Sequence, residues 1–229
     1  MEGIICACGA SALELYRSSK RLIPTLLDKP RTGKVAGLMV PPRQFLEDDM
    51  TARGVTKQPY HVLVDGNHGY NPRRDIHAVA CYHPLPPRSL IKIDKGFWVT
   101  SPELTFIQIC ADEDLSDFDI ICLGYELCGT YVLDDSWDGL TCIDEPLTST
   151  EKIGRLINSI HRVPGIKRAR NLIKHVHDLS NSPMETILAM LVSLPTTKGG
   201  LGLGPISLNH PVATPVGQRR VDIGFPRQR

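Results

Sequence analysis

Between residues 96 and 151 there are thirteen carboxylates and not one lysine or arginine. The flanks are basic: residues 1–95 carry 14 basic and 9 acidic side chains, and residues 152–229 carry 12 and 3. A net charge of +1 therefore hides segment charges of +5, −13 and +9. Two arrangements suit the pattern. The acidic block docks against a basic neighbour through opposite fields, or it holds a basic module off non-specific polyanions. An acidic stretch that merely solvates a surface accounts for neither the basic tail nor the abrupt change at Lys152.

With 229 residues, 41% of them hydrophobic, the chain can build a core without staples. Its seven cysteines, at 6, 8, 81, 110, 122, 128 and 142, are an odd number spread through apolar segments. That argues against a secreted disulfide framework and for a reducing compartment. No apolar run reaches the roughly 18 to 20 residues of a membrane span, and residues 1–11 lack the basic and apolar regions of a signal peptide. The expected location is the cytoplasm, with no membrane partner.

The pattern predicts an α/β (α+β) fold. A short helix is expected over Ser11 to Arg21, from Leu13, Tyr16 and Lys20. From Pro59 to Val99 the β formers His61-Val62-Leu63-Val64, Ile76 to Ala80, Leu90 to Ile93 and Phe97-Trp98-Val99 predict a small antiparallel sheet. Turns are expected at Asp65-Gly66-Asn67-His68-Gly69 and at Asp94-Lys95-Gly96, the latter of a kind that tolerates positive φ. Ser101-Pro102-Glu103 reads as a helix start, and a helix through Phe118, Ile121 and Tyr125 should close on a left-handed Gly129. Beyond it, Thr148 to Glu151 suggests a capping box, Ile166 to Leu179 a helix, and Ser182-Pro183-Met184-Glu185 another helix start. Gly199 to Gly204 reads as a flexible connection into a hairpin of Ile206 to Ala213 with Arg219 to Phe225. The expected division is a sheet-and-helix region, 1–147, then a helical segment leading into an incomplete fragment, 148–229.

Three phrases, in this order and spacing, carry a resemblance: Val99 to Phe106 with Leu123 to Tyr131, then Ser182 to Thr186, then Arg220 to Pro226. They resemble a bacterial family that joins a region like the antitoxins of abortive-infection (type IV toxin–antitoxin) systems to a PD-(D/E)XK nuclease domain of the very-short-patch-repair type. The resemblance implies that Glu185, on the first nuclease helix, and Asp222, on the second strand of a hairpin, help hold a catalytic Mg²⁺. It also implies a further carboxylate on the next strand, which the chain, ending at Arg229, does not encode. Such an ion needs several converging hard oxygen ligands, since it both activates water and neutralises charge on the phosphate. The residues also allow plainer roles. Glu185 can complete a capping box with Ser182, and Asp222, alternating with Val221 and Ile223, can lie on a solvated strand face.

Lys167, Arg170, Lys174 and His177 recur at steps of three and four, which places them on one face of the expected helix. Dispersed positive charge on a rigid support suits phosphate contacts without reading bases, although a stripe of this kind can equally be solvated or face the acidic block. His61, His77 and His83 with Cys81 lack the paired spacing of a zinc site, as do Cys6-Ala7-Cys8 and Cys122 with Cys128. Two functions follow as expectations. One is a non-catalytic nucleic-acid or partner-binding protein of the toxin–antitoxin or phage-defence type, binding DNA, a toxin or another copy of itself without a cofactor. The other is a Mg²⁺-dependent DNA endonuclease whose site is completed by another chain or lost. A stable remnant with no selected activity is a third possibility.

Overall fold

The computed structural model describes residues 3–19, 23–66, 73–134 and 138–226. It has a mixed α+β architecture built on three sheets. Strands β1 (Ile5–Ala7), β2 (Arg31–Thr32), β3 (Tyr60–Asp65), β4 (Ile76–Cys81), β5 (Leu90–Lys92) and β6 (Phe97–Thr100) form a six-stranded sheet in the order β2-β5-β6-β1-β3-β4. All four strands expected between Pro59 and Val99 are present, but the sheet is mixed, not antiparallel. β3 runs parallel to β4 and β1 parallel to β6, while β1–β3, β5–β6 and β2–β5 are antiparallel. Two placements make it so: β4 lies parallel to β3, and β1 enters between β6 and β3, parallel to β6. Three residues are too few to show a period, yet Cys6, Ala7 and the following Cys8 are fully buried at the centre of the sheet.

Helix α1 (Gly9–Ser18) follows at once and lies against β3 and α4 (Pro102–Ile109). It begins two residues earlier than expected, and Lys20 and Arg21, counted in its spacing, lie outside the described residues. So do Asn67 to Gly69 of the turn expected after Asp65. The β5–β6 turn needs no positive φ, because the Asp94 carboxylate accepts from the amides of Gly96 (3.0 Å) and Phe97 (2.8 Å).

Helix α4 is the spine of the helical layer. Ser101 caps it, Pro102 opens it, and every residue except Gln108 is buried. Around it pack α5 (Asp117–Cys128), α6 (Thr150–Ser159) and α7 (Ile166–Leu172). At the end of α5, Gly129 is extended (φ −97°, ψ 177°) instead of left-handed. The residue is small for a different reason: a Cβ there would lie 2.6 Å from the Ser180 carbonyl oxygen and 2.7 Å from that of Tyr125. The cap of α6 is Ser149, whose hydroxyl accepts from the Lys152 amide. Thr148, expected to cap it, instead turns inward and donates to Glu103 at 2.7 Å.

Helix α7 is shorter than the expected run from Ile166 to Leu179. It tightens into a 3₁₀ turn over Ile173–His175, and Val176 is extended (φ −93°, ψ 137°). Val176 fits there because α5 has Gly124, where a Cβ would lie 2.6 Å from a Val176 methyl. The chain then hydrogen-bonds along the end of α5, with the Leu179 amide donating to Cys128 and the Thr130 amide to Ser180. Helix α8 (Pro183–Ser193) packs on α5, and a two-stranded sheet of β9 (Ser207–Thr214) and β10 (Gly217–Gly224) completes the chain. This is the expected hairpin. A second small sheet pairs β7 (Tyr131–Leu133) with β8 (Leu140–Cys142).

The segment from Gly199 to Gly204, expected to be flexible, is strapped to α8. Amides of Leu201, Gly202 and Leu203 donate to the carbonyls of Leu191, Leu194 and Val192 at 2.7 to 2.9 Å. These bonds satisfy carbonyls that the end of the helix leaves open.

Candidate functional site

The central acids sort themselves by burial. Two are withdrawn from water, and both find cations on the N-terminal segment. Glu126, 1% exposed, takes a two-pronged contact from Arg17 (Nε–Oε1 2.8 Å, Nη2–Oε2 2.6 Å) and also accepts from the Leu133 amide. Glu103 faces Arg31 at 3.7 Å and accepts from Thr148. Among the described residues two carboxylates of the block meet the basic C-terminal part: the exposed Glu151, 3.8 Å from Arg155 one helical turn on, and Asp117 at the start of α5. Arg168 Nε and Lys198 Nζ each stand 2.9 Å from an Asp117 oxygen, and these contacts hold its carboxyl below the usual range, Lys198 first. Asp117 and Lys198 line a small cavity of about 230 Å³ with Phe118, Ile121, Leu194 and Thr197.

That pairing divides the cations of α7. Arg168 is consumed structurally, since beyond Asp117 it donates to the carbonyls of Asp112 and Leu115. Lys167, Arg170 and Lys174 stay exposed, and none has a carboxylate partner among the described residues. Arg170 makes one long contact, 3.4 Å from Nη2 to the Ile157 carbonyl at the end of α6. His177 does not share their face. The 3₁₀ turn and extended Val176 break the helical period before it, and its ring lies 6.0 Å from that of Tyr125, where burial lowers its pKa. Of the four residues expected to form a stripe, three remain on the exposed side. The sequence carried no sign of the break, because residues 173–176 are as helix-compatible as those before them.

Glu185 sits at the start of α8. Its amide donates to the Ser182 hydroxyl at 3.2 Å, as a cap requires. Its carboxylate reaches past the cap residue and accepts from the Asn181 amide at 2.9 Å. Asn181 is tied in turn to β9, its side-chain amide donating to Asn209 at 2.9 Å. Asp222 lies on the exposed outer part of β10. As placed, the two supply a thin donor set for Mg²⁺: one carboxylate already accepts a backbone amide, and no group of three or more His, Cys, Asp or Glu among the described residues could hold a metal. Glu185 and Asp222 would supply two of the several oxygen ligands that Mg²⁺ takes, the rest falling to water or substrate phosphate.

The histidines and cysteines weighed for zinc take other roles. His61 and His77 stack across β3 and β4 with ring centroids 4.5 Å apart. The Cys81 thiol donates to the His83 carbonyl at 3.1 Å. All seven cysteines are free, and burial pushes the thiols of Cys6, Cys8 and Cys128 well up, away from nucleophilic use.

Sequence reasoning missed one surface. Among the described residues fourteen large hydrophobic side chains stand exposed, and ten of them lie between Leu179 and Val221. On α8 they are Met184, Ile187, Leu188 and Leu191, with Leu201 and Leu203 of the strap beside the helix end. The signal was present: two apolar faces on one short helix, of which only Thr186, Ala189 and Met190 turn inward. No helix of the described residues is long and apolar enough to cross a membrane. In comparisons with protein families, curated proteins and solved structures, the chain matched none.

Proposed function

We propose that this chain is a non-catalytic binding protein that engages the phosphate backbone of a nucleic acid, DNA in the first instance, through Lys167, Arg170 and Lys174. One observation carries the reading. Over α7 and the 3₁₀ turn that follows it, the cation that has an acidic partner, Arg168, is held by three contacts, while Lys167, Arg170 and Lys174 stand exposed with no carboxylate partner among the described residues. Cations used for stability are paired, and those left over are free for a polyanion. The support is rigid, because Ala169 and Leu172 bury the opposite face of α7.

Such contacts position a protein on a duplex without reading sequence, which fits a cytoplasmic defence or toxin–antitoxin component that holds nucleic acid rather than cutting it. The occupied carboxylate of Glu185 supports the non-catalytic form of the reading.

Each phosphate contact releases condensed counterions, so affinity for duplex DNA should fall steeply with salt. Replacing Lys167, Arg170 and Lys174 together by Ala should lower the slope of log affinity against log salt by about 2 to 3 and weaken binding to unrelated sequences alike. Folding should be unaffected apart from the weak Arg170 contact. Unchanged binding by the triple variant, or no binding by the native chain at about 50 mM salt, overturns the proposal.

A further inference from the structure

The hairpin is a sheet with two open edges among the described residues, and the edges are not alike. Along β9, Pro211 has no amide to offer, Asn209 is left-handed (φ 49°), and the Asn209 side chain is tied down by Asn181 and the Leu179 carbonyl. These features blunt an edge. By contrast β10 has eight residues, no proline and no positive φ after its first glycine. Its pairing with β9 runs without slip from Gly217↔Thr214 to Gly224↔Ser207. Its outer side therefore presents a regular ladder of unused amides and carbonyls.

The residues of β10 select what can pair there. Antiparallel pairing of two copies about a twofold axis normal to the sheet sets each residue opposite one on the same face. The possible registers thus centre on single residues. Centring on Arg220 sets Arg220 against itself, and centring on Asp222 sets Asp222 against itself. Both place like charges directly opposite, which is destabilising. Centring on Val221 sets Arg220 opposite Asp222 twice, once on each side of the axis, with Val221 against Val221 between them. Neither Arg220 nor Asp222 has an ion-pair partner among the described residues.

The other face agrees. Val221 is paired on β9 with His210 and shares a face with Val212, and both valines stand exposed beyond the buried root formed by Leu208 and Ile223. In the Val221-centred register the two copies of Val221 meet across the axis, while Val212 stays on the outer strand beside Arg219. We infer that β10 is a self-pairing edge, and that two copies of this chain join through it into a four-stranded antiparallel sheet, β9-β10-β10-β9, in the Val221-centred register. The partner is a second copy, because only a strand with the same order of charges answers both the Arg220 and the Asp222 of this one. The inference does not depend on phosphate binding at α7.

The test is sedimentation equilibrium of the full chain from about 1 µM to about 1 mM, with far-ultraviolet circular dichroism of each variant to confirm the fold. The native chain should form a dimer. Arg220→Asp, or Asp222→Arg, should raise the dissociation constant about tenfold or more, since each single change sets two like-charge pairs across the axis. The double variant R220D/D222R should recover the native value, because the exchanged charges again face opposites. The Lys167, Arg170 and Lys174 triple variant should dimerise as the native chain does. A native chain that stays monomeric throughout overturns the inference, as does a dimer indifferent to the single changes, which would place the interface on the apolar face of α8. A double variant as weak as the single ones also overturns it.

Discussion

The six-stranded sheet and the hairpin handle the same hazard in opposite ways. An edge strand invites pairing. In the large sheet one edge is β2, only two residues long, and the other is β4, where only His77 and the small Ala80 are exposed. Its centre is dry: Cys6, Ala7, Val62 and Val99 are wholly buried. The hairpin has strands of eight residues, a root where Leu208 and the half-buried Ile223 join the core, and an outer half, Pro211 to Arg220, that is mostly exposed. The first region is a finished core and the second half of one. A chain that protects one sheet and leaves the other open keeps its buried core apart from its exposed strand edges.

The largest expected effect lies in the finished region. Arg17→Ala strands the buried Glu126 carboxylate, and breaking a buried pair this way costs about 3–5 kcal/mol. Urea unfolding should show a matching fall in midpoint. Arg219→Ala, in the exposed half of β10, should change the unfolding free energy by less than about 0.5 kcal/mol. If Arg17→Ala were equally mild, the two regions would not differ as described.

A second pair locates the boundary within the hairpin. Leu208 and Val212 lie on the same face of β9, yet Leu208 is 7% exposed and Val212 37%. Leu208→Ala should cost about 2–3 kcal/mol through lost burial and the cavity left behind, whereas Val212→Ala should stay within about 0.5 kcal/mol in dilute, monomeric protein. Thermal melts at low concentration decide it. Equal losses would mean that the core extends to the tip of the hairpin.

The smallest effect concerns pH. Burial holds His61 below its ordinary value, with His77 beside it adding repulsion, and burial does the same for His177 on the C-terminal side. A lowered folded pKa means that the unfolded chain takes up the proton first. The stability each neutral ring contributes is therefore present above the ordinary pKa of about 6.5 and is lost as pH falls below it toward the folded value. His61→Gln and His177→Asn should each make the decline in stability from about pH 7 to 5 less steep. A steeper decline in either variant would contradict the shielded environments seen here.

Much of this was legible because it was local. Ser101-Pro102, the capping residues of α8, and the alternation of β9 with β10 are read from neighbours within a few residues. The seat of Glu185 was half legible: the cap was there to read, but the reach to Asn181 depends on the backbone before the helix. Stopping α7 at Leu172 was not legible, since it is set by the space that Gly124 leaves for Val176 across α5.

The sequence by itself determined that the acidic block, 96–151, holds no cation of its own, so that any cation pairing with it comes from outside those fifty-six residues. It also determined which residues could be strands, helices and caps, because those preferences are set by each residue and its near neighbours. Only the tertiary structure decided which cations answered. Arg17 and Arg31 come from one side and Arg168 with Lys198 from the other, leaving Lys167, Arg170 and Lys174 unclaimed. Tertiary structure likewise made the sheet mixed, by setting β4 parallel to β3 and β1 parallel to β6. The physical reason is common to both. Charge pairing and strand order are settled by which distant segments can be buried together, and local pattern carries no record of that choice.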